Sequence, residues 1–62
     1  MFDRNRFCED VDNAGGLWAV SLKANIKLQT LSAWYNGTRT PRFISLAGIA
    51  AILEFLPSRY VL

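Results

Sequence analysis

A chain of 62 residues has room for one small domain, and at that size it buries only about 60% of its unfolded surface, so packing must be efficient. Its 52% hydrophobic and 19% charged residues are the makeup of a globular domain and exclude a disordered tail. One cysteine, Cys8, excludes an internal disulfide scaffold, and a reducing cytoplasm is the simplest setting. The net charge of +2 is unevenly spread. Asp3, Glu9, Asp10 and Asp12 crowd the first twelve residues against Arg4 and Arg6, whereas Lys23, Lys27, Arg39, Arg42 and Arg59 later face only Glu54. Such a pattern is either one positive face suited to nucleic acid or ordinary solvated charge. No basic stretch followed by an apolar run opens the chain, so no signal peptide is expected. The longest apolar run, Phe43 to Leu56, is shorter than the roughly 20 residues of a membrane span and contains Glu54, so it reads as a buried helix.

The first helix is expected in "FDRNRFCEDVDNAGG", capped by Asp3, with Phe7, Cys8 and Val11 on one face and glycine ending it. Its acidic residues read as a solvated face, and Cys8 as a small buried hydrophobe. A short second helix, "LWAVSLKA", places Leu17, Val20, Ser21 and Ala24 together, and Asn25, tolerant of positive φ, breaks it. The third helix, "IKLQTLSAWY", carries a seam of Leu28, Leu31 and Trp34. Thr40-Pro41 is expected to start the fourth, with Thr40 as cap and Pro41 in the first turn. The stripe Leu46, Ile49, Ala50 and Leu53 runs along that helix to about Phe55. "LPSRYVL" is either a last helical turn from Pro57 or an extended tail. Asn36-Gly37 suggests a hairpin, but its flanks do not alternate and Pro41 would interrupt the returning strand. The expectation is therefore a compact all-α domain of four to five helices.

A tight turn between the second and third helices describes a helix-turn-helix, spanning about residues 17–35. Val20, Ser21, Ala24, Asn25, Ile26, Leu31 and Trp34 fall at the spacings of the lambda-repressor-like family of phage repressors and Cro proteins. "LSAWYNGTRTPRFISLAGIAAIL" resembles that family's recognition helix, Asn-Gly, basic loop, Pro and closing helix, the last through Leu46, Ile49, Ala50 and Leu53. The resemblance runs from Leu17 to about Leu53. Many members carry Glu before the Asn-Gly, paired with Arg from the first helix. Tyr35 stands there instead, and its hydroxyl can substitute by reaching an acidic or backbone partner.

The resemblance implies a sequence-specific regulator whose third helix enters the major groove of double-stranded DNA. It makes Lys27, Leu28, Gln29, Ser32 and Ala33 the base-contacting candidates. Gln29 suits adenine, Lys27 guanine or phosphate, and Leu28 or Ala33 a thymine methyl. Leu28 is equally placed for the core or a protein interface. Asn36, Gly37, Thr38, Arg39, Thr40 and Arg42 would hold phosphates, the first two through main-chain N–H groups. The start of the second helix, Gly16 to Trp18, is a second phosphate seat, with Trp18 on sugar or in the core. The implied protein is a cytoplasmic Cro-like repressor acting as a homodimer. The last helix and residues 57–62 would form its dimer surface, Arg59 and Tyr60 lying in that interface or in a free tail. The alternative is a protein-interaction module on the same fold, binding another regulator. With no histidine, no thiol–base pair and no glycine-rich phosphate loop, an enzyme is not expected, and neither is a metal or cofactor.

Overall fold

A computed structural model describes all residues, Met1 to Leu62, as an all-helical domain of 25 × 25 × 19 Å. It comprises α1 (Arg4–Asn13), α2 (Leu17–Ala24), α3 (Leu28–Asn36), α4 (Phe43–Ile52) and a 3-10 turn at Pro57–Tyr60. There is no strand; one isolated antiparallel bridge, Phe2 to Val61, brings the two ends together. No helix is long and apolar enough to cross a membrane.

Asp3 caps α1 as expected, accepting the Arg6 N–H. All four helices end in the same way. Gly15, Asn25, Gly37 and Glu54 take positive φ, and the next N–H reaches back to the last turn, as from Ile26 to the Ser21 carbonyl or Phe55 to that of Ala50. Position 37 favours glycine through its φ of +83°; a Cβ there would also press on the Arg4 side chain at 3.2 Å, which would have to shift slightly.

The fourth helix departs from its sequence signal. Thr40 does not cap it. The chain stays extended through Arg42, whose φ of −69° and ψ of 154° precede the first helical residue, Phe43. Pro41 is buried instead, so tertiary packing outweighs a local capping preference worth about 1 kcal/mol. At the other end, α4 stops at Ile52 rather than near Phe55.

Phe7, Val11, Val20, Leu31, Trp34, Leu46, Ile49, Ala50 and Tyr60 form the core, with Leu53 packed against it. The packing corrects the reading of Arg59 and Tyr60 as part of a free tail or a dimer interface. The Tyr60 ring is fully buried and meets Phe7 edge-on at 5.8 Å. Its hydroxyl donates to Asp10 Oδ2 at 2.7 Å. Arg59 closes on the same carboxylate, Nε to Oδ2 at 2.6 Å and Nη2 to Oδ1 at 2.9 Å, and stacks over Phe55. The acidic face is corrected too: Asp10 is buried, because it anchors the chain's end rather than facing solvent. The Arg59 guanidinium holds its carboxyl below the usual range; burial opposes this and the Tyr60 hydroxyl reinforces it. Burial, followed by the bond to Asp10, pushes the Tyr60 phenol up.

Candidate functional site

α3 lies between two clefts. On one side Thr30 and Trp34 of α3 meet Arg39, Thr40, Arg42 and Ser45 around a space of about 360 Å³. Two guanidinium groups and three hydroxyls line it, with no carboxylate. On the other side α2 and the start of α3 enclose a groove of about 430 Å³ bordered by Trp18, Leu22, Ile26, Lys27 and Leu28.

The helix starts around these clefts share a property. α1 is capped by a side chain; α2, α3 and α4 are not. The first turn of α4 leaves the N–H groups of Phe43, Ile44 and Ser45 without an acceptor in the chain, as do the first turns of α2 and α3 for their own residues. Such ends attract anions, because their N–H groups point outward and the helix dipole is positive there.

The base-contacting candidates sit together at the start and outer face of α3. Lys27 immediately precedes the helix, and Lys27, Leu28 and Gln29 are exposed. Leu28 is therefore not a core residue. Ser32 and Ala33 are half-buried, and the Ser32 hydroxyl accepts a bond from the Asn36 amide at 3.2 Å. Trp18 is 64% exposed in the first turn of α2, which removes its reading as core.

The loop residues divide. Arg39, Thr40 and Arg42 line the first cleft. The main-chain donors assigned to Asn36 and Gly37 are corrected, because closing α3 uses them. Asn36 N–H lies within the helix, and Gly37 N–H donates to the Trp34 carbonyl at 3.3 Å. The N–H groups of Thr38 and Arg39 and the Thr38 hydroxyl all reach the Ala33 carbonyl. Gly16 N–H is likewise taken by the Val11 carbonyl at 2.9 Å. The free donors in this region lie further along, at the start of α4, together with the hydroxyl of Ser45, which the sequence reading left out.

Arg4 was also missed. Its guanidinium donates to the Tyr35 carbonyl at 2.8 Å, near the negative end of α3, and brings a further cation beside Gly37. No local pattern signals a contact between residues 31 apart. Tyr35 resolves as the substitution suggested: its hydroxyl donates to Asp12 Oδ1 at 2.8 Å, and that bond raises its pKa. The Cys8 thiol, half-buried, donates to the Tyr35 carbonyl at 3.2 Å, and burial pushes its pKa up. The acids near these contacts are engaged away from the two clefts, Asp3 at the cap of α1, Asp10 on Arg59 and Asp12 on Tyr35. No group of three or more potential metal ligands assembles anywhere. Compared with protein-family models, with curated proteins and with solved structures, the chain finds no match.

Proposed function

We propose that the chain is a double-stranded DNA-binding transcriptional regulator, in the manner of the lambda-repressor-like domains its sequence resembles. In this reading α2, the Asn25 corner and α3 act as a helix-turn-helix, and α3 enters the major groove. Lys27, Leu28, Gln29, Ser32 and Ala33 face base edges, while Arg39, Thr40 and Arg42 grip the backbone. Phosphate contacts fix the register and base contacts select the sequence. The observation that carries the proposal is the cleft beside α3, where Arg39, Arg42, Thr30, Thr40 and Ser45 converge with no carboxylate among them. The unpartnered N–H groups at the start of α4 point to the same ligand, an anionic oxygen. Trp18 and the start of α2 supply a second backbone contact.

The protein acts in the cytoplasm as a homodimer, and repression follows from covering a promoter. With Tyr60 in the core and Arg59 held on Asp10, the dimer surface falls to the outward side of α4 and its neighbours. Ile44 is 78% exposed there and Leu56 74%. A second reading, a module that docks on another regulator, draws support from the exposed apolar groove beside α2.

Salt dependence separates the two. Fluorescence anisotropy with a labelled mixed-sequence duplex should show log K falling linearly with log salt between about 50 and 200 mM, with a slope of about −0.9 per phosphate contacted. Replacing both Arg39 and Arg42 with alanine should flatten that slope by about 2. No binding at low salt, or an unchanged slope in the double variant, contradicts the proposal.

A further inference from the structure

Trp34 belongs to the core and is only 7% exposed, yet it lines the cleft beside α3 and no other cavity. Its indole N–H is the side chain's one polar group, and it meets no acceptor in the chain. No polar side-chain atom is both sealed from solvent and unpaired, so this N–H opens to solvent, and the cleft is where Trp34 reaches it. A donor on a side chain more than nine-tenths buried thus stands unused at the cleft floor. Around it, the hydroxyls of Thr30, Thr40 and Ser45 and the guanidinium groups of Arg39 and Arg42 also make no hydrogen bond or ion pair within the chain.

These donors suit one kind of oxyanion better than another. Arg39 and Arg42 keep two positive charges at any ordinary pH. A phosphodiester in a nucleic-acid backbone offers one negative charge and two free oxygens, with chain attached on both sides. A phosphomonoester carries a charge near −2 and three free oxygens, and is attached through the fourth alone. Only the monoester balances both guanidinium groups, and only it can enter end-on, so that an oxygen reaches the buried indole N–H. We infer that this cleft is a regulatory seat for a small phosphomonoester, held by Trp34, Arg39 and Arg42, which displaces the DNA backbone from the same place. The displacement rests on the DNA-binding reading above; the seat itself does not.

Methyl phosphate and dimethyl phosphate are the probes. The two tryptophans give two indole N–H signals in NMR spectra of the isotopically labelled chain. At pH 8 and a constant ionic strength of about 150 mM, methyl phosphate should move the Trp34 indole signal and the Ser45 amide to saturation. Dimethyl phosphate should bind about tenfold or more weakly, the effect of one hydrogen bond to a charged group. Methyl phosphate should also weaken as pH falls through its second pKa of about 6. Trp34→Phe keeps an aromatic ring, identifies the indole signal by its loss, and should weaken methyl phosphate about tenfold at the Ser45 amide. Should that core variant not fold, the wild-type titration decides by itself. A Trp34 signal that drifts without saturating, or that answers equally to both esters, overturns the seat. In parallel, methyl phosphate should release a labelled duplex more effectively than sodium chloride at equal ionic strength. A saturated Trp34 signal with the duplex retained overturns the regulation. A duplex that never binds overturns the DNA-binding reading, and the Trp34 signal still decides the seat.

Discussion

Replacing Tyr60 with phenylalanine isolates one hydrogen bond at the point where the C-terminal segment is fastened to α1. The ring and its edge-on contact with Phe7 are retained. The bond lost runs from the hydroxyl to Asp10 Oδ2 at 2.7 Å, in a buried setting. A hydrogen bond to a charged acceptor contributes about 1.5–3 kcal/mol. Arg59 still satisfies both carboxylate oxygens, so the lower part of that range applies, about 1.5–2 kcal/mol. With an unfolding entropy of about 2.1 cal/mol/K for each of 62 residues, the melting temperature should fall by roughly 10–15 °C at pH 7. The assay is thermal unfolding followed by circular dichroism at a series of pH values. Asp10 titrates below its ordinary value in the folded chain, so its stabilisation is present above the unfolded value of about 4 and is lost as pH falls through the lowered one. The gap between wild type and variant should therefore hold from pH 7 to about 5 and narrow below about 4. A melting temperature unchanged within about 3 °C, or a gap that stays constant down to pH 2, would refute the reasoning.

Glu54 holds a φ of 66° without the freedom of glycine, so Glu54→Gly should stabilise the fold by about 0.5–1 kcal/mol, read as a rise of a few degrees in the same melt. Ile44→Glu places a charge on the most exposed apolar position of α4; on the homodimer reading, sedimentation should show a monomer, and the melting temperature should lose its dependence on protein concentration. On the DNA-binding reading, Gln29→Ala should relax discrimination at one base pair by about 1–3 kcal/mol, measured by competition among duplexes altered at single positions. It should leave the salt slope intact, because an amide reading a base neutralises no phosphate.

What the sequence disclosed and what it concealed follow from the range of the interactions. α2 emerges with the bounds read from sequence, because its ends are written locally in Gly16 and Asn25. Val20, Leu31, Trp34, Leu46 and Ile49 are legible as core by helical spacing. The start of α4 was misplaced because Thr-Pro is a local signal, and burial of Pro41 overrides it. The Asp10–Arg59–Tyr60 cluster joins residues 49 and 50 apart, and no periodicity announces it. At the candidate site, the residue types singled out the loop whose Arg39, Thr40 and Arg42 line the cleft beside α3. Their assignment as donors failed at Gly37, since the same N–H groups that seem free in a loop are drawn back to close α3. Ser45 and Thr30 join Arg39 and Arg42 only once α3 and α4 pack together.

The central claim is that α3 and the basic cleft beside it meet the DNA. Titrating the isotopically labelled chain with a duplex at low salt, and following every backbone amide by NMR, tests it most directly. The expected shifts fall on Trp18, Lys27 to Gln29, and Arg39 to Ser45, and they reverse when salt is raised. Shifts confined to α1 and the last turns of α4, or none at any duplex concentration, would contradict it.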